Sequence, residues 1–568
     1  MKKTILTMFV CMVASMTFAQ PKFASKVKKG LISVNTYDKQ GDLLHQGMGF
    51  YVGANGEAIA DYRVFKGAYK ATVIDANGKQ EDVDCIWGAD DAYSLVRFKV
   101  KTKGNAIIPS VTSFQPMKST LYVLKVADGG KLESDQVTVA DTSMIQGKYV
   151  YYGLDKQLDS KMMGAPVFNE SGTLVGMLHS TIGNKSYVLD IRFREVLQMA
   201  ALPSNSASVA LGNIFIPKAL PETAEEALVY LFMKSRSSTN DEYMDMVNRF
   251  VDTFPQNAEG YLRRATPLID LLRFDEAEND LQKYLSLVED KAIGNYNVAS
   301  LIFDKLRLQP EPAYEKWNYS VALQYVDKAL SLYSTSSDND AQKAERQKCR
   351  LLKGQMLLES KDYESAIALY EGMLQEGDRN PAYLYAISMA REGRGDSIES
   401  VIEPIDSAIA QFGEPMPSDA SPFVIRRGQL LANSGKYREA VRDYNQYAYL
   451  QNNKVSAVFL YERSQIEVNA RMFQQALDDL NRAVEIVPRE PLYHVERAAL
   501  TLRVGMLDDC IQSCQTAIRL NPNIIDAYRI LGYAQLQKGD KTNARLNIQK
   551  AIDMGDETAK TLMDTYFK

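Results

Sequence analysis

Histidine is the side chain best suited to carry protons near neutral pH, and the 568 residues contain three: His45, His179 and His494. His179 is followed by Ser180, a base beside a hydroxyl, the pairing that acyl transfer requires. On a strand, successive side chains point to opposite faces, so this adjacency predicts a poor nucleophile–base pair. His45 lies just ahead of a Gly-x-Gly-Phe run, and His494 lies far away in a helical stretch. Cys85, Cys349, Cys510 and Cys514 form no CxxC pair and no Cys/His cluster, so neither zinc nor thioredoxin-type chemistry is expected. Cys510 and Cys514, four apart, share a helical face and are expected to pack as small hydrophobes, with a disulfide as the alternative in an oxidising compartment. No metal and no cofactor is expected.

The elements that would position these groups follow two hydrophobic periods. Across 30–200, short alternating or apolar runs (30–36, 47–52, 71–75, 94–100, 120–126, 149–153 and 174–178) are separated by turn signals such as Asn55-Gly56, Asn77-Gly78 and Asn169–Gly172. Many short strands at this spacing predict a barrel or sandwich. From about Pro221 the period becomes 3.6. The stretch 201–221, rich in Ser, Ala, Asn and Pro, reads as an interdomain linker.

The helical half repeats itself. Ser464, Ala498 and Gly532, then Ala476, Cys510 and Ala544, then Ala483, Ala517 and Ala551, each recur every 34 residues. This resembles the tetratricopeptide repeat, two antiparallel helices whose small residues permit close crossing. The expected units are 224–257, 258–291, 292–338, 347–380, 381–418, 421–454, 457–490, 491–524 and 525–558, with 559–568 as a capping helix. The array therefore spans 222–568, with about nine units.

The order of segments in 30–200 resembles the trypsin-like serine proteases, especially the high-temperature-requirement branch, and the domain is expected over 20–200. Gly47-Met48-Gly49-Phe50-Tyr51-Val52 and the following segment to Val64 match the strand and base-bearing segment of that family, with Arg63 at the base position. Ser94–Val100 corresponds to the segment that opens with the orienting carboxylate, and Ser94 stands in its place, with Asp90 and Asp91 just upstream. Lys161-Met162-Met163-Gly164-Ala165-Pro166-Val167 corresponds to the nucleophile loop, and Met163 takes the nucleophile position. The resemblance implies a chymotrypsin-like double β-barrel with a degenerate triad. Met163 has no transferable proton, Arg63 stays protonated at any accessible pH, and Ser94 has no imidazolium to stabilise. Lys161 and Ala165 replace two loop glycines, which alters the oxyanion turn as well.

By resemblance, the first helices of the repeats line a concave groove. Its candidate peptide-binding residues are Ile425, Gln429 and Asn433, then Tyr461, Gln465 and Asn469, then Arg529, Tyr533 and Gln537. Amides pair with an extended backbone, and tyrosines offer stacking area. The alternative is an ordinary solvated helix face.

Charge and leader complete the picture. Net charge is +3 over 20–205 and −10 over 206–568, so no phosphate-tracking surface and no nucleic-acid partner is expected. Lys2 and Lys3, the apolar run 4–18 and Thr17-Phe18-Ala19 read as a secretory signal peptide over 1–19, leaving no membrane segment in the mature chain. The expectation is an exported protein, periplasmic or secreted, that binds protein or peptide partners as a non-catalytic scaffold. The alternatives are a divergent serine endopeptidase and a holdase-type periplasmic chaperone.

Overall fold

The computed structural model describes residues 20–567 except 103, 127–130, 183, 200–204 and 334–339. The expected signal peptide lies outside the described residues.

Two closed antiparallel barrels of six strands each come first. Strands β1 (Leu31–Tyr37), β2 (Leu43–Tyr51), β3 (Glu57–Asp61), β4 (Lys70–Ile74), β5 (Gln80–Asp90) and β6 (Leu95–Val100) run in the order β1-β2-β3-β6-β5-β4. Strands β7 (Thr120–Val126), β8 (Leu132–Ile145), β9 (Tyr149–Leu154), β10 (Pro166–Asn169), β11 (Leu174–Ile182) and β12 (Lys185–Asp190) repeat that order as β7-β8-β9-β12-β11-β10. This is the chymotrypsin-like double barrel.

Its pattern follows from period-2 burial. On β6, Val96, Phe98 and Val100 point into the first barrel, whereas Leu95 joins Leu31, Phe50 and Ile59 in a layer shared with Leu124, Phe168 and Phe193 of the second barrel. A separate core fills the second barrel, with Val123, Tyr152, Val167 and Leu178 among its members. Two short helices, α1 (Ala24–Val27) and α2 (Tyr62–Phe65), flank the strands.

The expected linker behaves differently from its composition. Helix α3 (Asn205–Gly212) carries Ala210 and Leu211 into the first barrel's core, and Ile214, Ile216 and Ala219 follow them. Ile86 N–H donates to Pro217 O at 2.9 Å and Ala219 N–H to Ile86 O at 2.8 Å, which zips the segment onto β5. The apolar residues among the Ser, Asn and Pro supply enough buried area to dock it.

Helices then pair in sequence: α4 (Ala224–Lys234) with α5 (Asn240–Thr253), and α6 (Ala258–Asp270) with α7 (Phe274–Leu287). Next come α8 (Lys291–Leu308) and α9 (Tyr319–Ser331), α10 (Asp340–Glu359) and α11 (Tyr363–Gln375), and α12 (Pro381–Arg394) and α13 (Ile398–Ile409). The last pairs are α14 (Ser421–Asn433) and α15 (Tyr437–Leu450), α16 (Ala457–Asn469) and α17 (Phe473–Ile486), α18 (Pro491–Arg503) and α19 (Leu507–Leu520), and α20 (Ile525–Gln537) and α21 (Lys541–Asp553), capped by α22 (Glu557–Tyr566). The small-residue columns are buried at the crossings. A Cβ on Gly532 would lie 2.6 Å from Ile548, and one on Gly354 2.2 Å from the Tyr370 hydroxyl.

The chain divides into two compact units after Glu289, so α4–α7 belong with the barrels. Tyr230 of α4 enters the first barrel's core, and Arg249 of α5 donates to the Asp84 carboxylate at 3.1 Å.

Candidate functional site

Two of the three positions that resemble a triad, Arg63 and Ser94, bond a carboxylate the sequence reading passed over, Asp61. It ends β3 and is buried. Its Oδ1 accepts the Arg63 backbone N–H at 2.8 Å, which caps the turn of α2, and also the Arg63 Nε at 2.9 Å, while Arg63 Nη2 closes the clasp on Oδ2. Ser94 Oγ donates to the same Oδ1 at 2.8 Å. Ser94 holds a left-handed φ of 47°, a conformation a non-glycine residue keeps only when its surroundings fix it; here Tyr62 N–H also donates to its carbonyl at 3.0 Å. Gly164 (φ 80°) would place a Cβ 3.3 Å from the Asp61 Cβ, so the residue after Met163 passes close to the Asp61 side chain.

Each group is engaged. Pairing with Asp61 raises the pKa of Arg63, whose side chain is 56% exposed. The half-buried Met163 side chain packs with Met48 and Val111 against the second barrel's core. Asp90, the upstream carboxylate, accepts the Tyr93 N–H at 2.8 Å. The loop is a single tight turn over Ser160–Met162. Lys161 N–H donates to Asp159 Oδ1 at 2.8 Å, Met163 N–H to Ser160 O at 3.1 Å, and Gly164 N–H to Leu178 O at 2.8 Å. In trypsin-like proteases the N–H groups of the nucleophile and of the residue two before it bind the oxyanion; at the positions that resemble these, the Met163 and Lys161 N–H groups are bonded inside the loop. A second Asp-x-Arg clasp, Arg192 Nε to both Asp190 oxygens at 3.0 Å, closes a turn at the end of β12 in the same way.

His179 departs from the alternation rule. The register between β11 and β12 shifts between Leu178 and Ser180, a bulge that re-aims side chains, so His179 Nδ1 and Ser180 Oγ both hydrogen-bond the Tyr151 hydroxyl, Ser180 at 2.7 Å. The expectation that the two point apart is therefore corrected. Tyr151 stacks on Tyr187 with centroids 5.3 Å apart, and Tyr93 flanks the imidazole at 6.5 Å. Burial pushes the His179 pKa down, which favours the neutral ring. His45 is exposed on β2, whereas His494 is buried on α18 against Pro488 O at 2.9 Å.

On the repeats, Gln429, Asn433, Asn469 and Gln537 are exposed at the ninth or thirteenth residue of their helices, and no side-chain partner is recorded for them among the described residues. Ile425 is half-buried against its neighbours' core. Tyr461 packs against Tyr493 at 5.5 Å, and Gln465 Nε2 donates to Glu496 at 3.0 Å. Arg529 Nε donates to Asp556 at 2.7 Å and its Nη2 pairs with Asp526, while Tyr533 meets Tyr566 of α22 at 6.2 Å. The exposed amides are thus separated from a second set that is already partnered.

A further ladder escaped the sequence reading. The seventh residue of α6, α14, α16 and α18 is an arginine, and each reaches the residue sixteen positions on, in the next helix. Arg264 grips Asp280 at 2.7 and 2.8 Å, Arg427 grips Asp443 at 2.8 Å twice, Arg463 grips Asp479 at 2.6 and 2.7 Å, and Arg497 meets Ser513 at 3.0 Å. The remaining nitrogen reaches back to Asn248, Asp406, Asn445 or Asn481 on the preceding helix. Beside it, Glu467 is buried with Oε2 unpartnered, and burial with the nearby Asp479 lifts its pKa to about 8.

Cys85, Cys349, Cys510 and Cys514 are free and buried. Among the described residues, no group of three or more His, Cys, Asp or Glu is placed to hold a metal, and no helix is long and apolar enough to cross a membrane.

No family model matches the chain. It is similar to the DnaJ protein P58IPK homolog of Arabidopsis thaliana, 24% identical over 54% of this chain and 57% of that protein. It is also similar to Hsc70-interacting protein 1 of Drosophila melanogaster, 28% identical over 16% of this chain and 25% of that one. Among solved structures, the serine endoprotease from Yersinia pestis aligns over 30% of this chain and 62% of its own, at 14% identity and a TM-score of 0.27. The chain thus spans a little over half the length of the DnaJ-type relative.

Proposed function

We propose that this chain is an exported, non-catalytic scaffold that binds protein or peptide partners through the exposed amides of its repeats, with the double barrel as a second interaction module. The observation that carries the non-catalytic part is the spent oxyanion loop: Lys161 N–H on Asp159 and Met163 N–H on Ser160 leave neither donor for a tetrahedral intermediate. The engaged Arg63, Ser94 and Met163 support it further, because none offers a nucleophile or a free base. Partner binding is supported by Gln429, Asn433, Asn469 and Gln537, and by analogy with a relative whose name states that it interacts with Hsc70. The apportioned charge supports proteins rather than nucleic acid as partners.

The test is cross-linking in the native cell, with the N-terminus of the mature chain sequenced in parallel. We expect a start at Gln20 and one or two stoichiometric protein partners, lost on changing Gln429, Asn433 and Asn469 together to Ala. Recovery of no partner across growth conditions overturns the reading.

One feature favours the endopeptidase alternative, the Tyr151–His179–Ser180 cluster with its neutral imidazole. It predicts fluorophosphonate labelling that Ser180→Ala abolishes, whereas the scaffold predicts no labelling at high protein concentration.

A further inference from the structure

A cavity of about 1010 Å3 opens between the first barrel and helix α5, on residues that neither the barrel cleft nor the repeat face uses. We propose that this cavity is a binding site for an extended peptide segment in which an apolar side chain is flanked by one basic and one acidic residue. The proposal goes beyond the scaffold reading and does not depend on whether the barrels catalyse.

The walls differ in sign. On the barrel side, Lys99 of β6 is half-buried with no ion-pair partner among the described residues, and Lys70 and Lys101 stand only at 3.6 and 4.0 Å from their carboxylates. On the helix side, Asp245 and Asp252 lie seven residues apart, two turns of α5 and therefore one face. Neither they nor Glu222 has an ion-pair partner among the described residues. In all, five cationic and five carboxylate side chains line the space, so its net charge is zero. A polyanion or a polycation would meet as much repulsion as attraction. A segment bearing both signs pairs with each wall. Because side chains of an extended chain alternate, an odd spacing sends the two charges to opposite walls.

The floor is apolar. Met199, Ile216 and Leu220 line it with Trp87, one face of which is covered by the Arg97 guanidinium at 4.4 Å. Cys85 joins the floor as an inert thiol, pushed up to about 12 by burial. At the edge Tyr69 stacks on Phe215 with centroids 4.3 Å apart, both rings about half exposed. The walls are also fixed before any ligand arrives. Arg249 ties α5 to Asp84 at 3.1 Å and to its carbonyl at 3.2 Å, and the zipped 217–219 segment holds the third side. A pre-formed slot spares a ligand the cost of ordering it, and its volume suits several residues of peptide.

The chain has two tryptophans, and Trp317 is buried in the other compact unit. In the full-length Trp317→Phe protein, Trp87 is the sole indole and reports on the cavity. The probes are capped hexapeptides Ala-Lys-X-Ala-Glu-Ala, with X varied over Leu, Met, Phe, Tyr and Trp, the last read by calorimetry. Their all-Lys and all-Glu counterparts and a neutral hexasaccharide serve as controls. We expect at least one mixed-charge peptide to shift Trp87 emission with micromolar half-saturation, and the like-charged versions to bind at least tenfold more weakly. Lys99→Glu and Asp252→Lys should each weaken binding tenfold or more with unchanged thermal melts, and the double charge exchange should restore it. No response to any peptide at 1 mM, equal binding of the like-charged peptides, or a response to the saccharide alone overturns the proposal.

Discussion

The barrels and the repeats both rely on arginine clasping a carboxylate, but at different ranges. In the barrels, Asp61–Arg63 and Asp190–Arg192 close over two residues, so each clasp locks one turn at a strand end. In the repeats, Arg427–Asp443 and Arg463–Asp479 span sixteen residues and join two helices, with a third helix reached by the spare nitrogen. At Asp61 the short clasp leaves its arginine largely in water, the Arg63 side chain being 56% exposed, whereas Arg192 is 20% exposed and Arg463 11%. The same chemistry therefore orders a loop in one region and fixes helix packing in the other. In the barrel it also occupies the carboxylate that Ser94 shares.

The comparison can be broken most directly at Asp479. Asp479→Ala removes both carboxylate bonds of the buried Arg463 guanidinium, leaving it Asn445 and, at 3.9 Å, Glu467, and should cost about 3 kcal/mol, read as a drop in the urea midpoint of the helical array. Asp61→Ala leaves the Ser94 hydroxyl and the Arg63 N–H without their acceptor and should cost about 2 kcal/mol; a larger loss than at Asp479 would reverse the ranking drawn here.

Glu467 sharpens the contrast through pH. Its folded pKa, about 8, stands above the ordinary glutamate value, so the neutral form is the one the fold accepts. The unfolded chain releases this proton first. Stability is thus fully present in mild acid and falls as pH rises from the usual glutamate range through about 8. Glu467→Gln should flatten that fall, so variant and wild type melt alike near pH 4 and diverge in the variant's favour by pH 9. The smallest effect is expected for Arg63→Ala, about 1 kcal/mol, because the guanidinium lies largely in water and the buried Asp61 carboxylate keeps the residue-63 N–H and the Ser94 hydroxyl as donors. A loss of several times that amount would mean the cleft clasp is as structural as the helical one.

Much of this was legible in sequence because it rests on periodicity. The 34-residue step of Ser464, Ala498 and Gly532 marked close helix crossings, and alternation around Val96, Phe98 and Val100 marked a barrel strand. The arginine ladder was legible in principle, as an arginine at the seventh position with an acid sixteen later, although small residues drew attention first. Asp61 had a local signal, an acid capping the turn two residues ahead of Arg63, but its role as a hub did not. Ser94 and Gly164 lie far from it in the chain, and only barrel closure brings them together. The bulge at His179 was hidden for a related reason. An extra residue in one strand is defined by its partner's register, which a single strand does not contain. The docking of 210–219 likewise needed the barrel surface that receives it.

By itself, then, the sequence determined the two architectures, their order and the residue types at the triad-like positions, because hydrophobic period and side-chain chemistry are local properties. Only the tertiary structure decided that the Lys161 and Met163 N–H groups are bonded within their own loop, that Tyr151 gathers His179 and Ser180, and that Lys99 and Asp252 line one cavity. Those are relations between segments distant in the chain or turns of backbone within a loop, and hydrogen bonds and unpaired charges acquire meaning only once the fold has set which groups can reach each other.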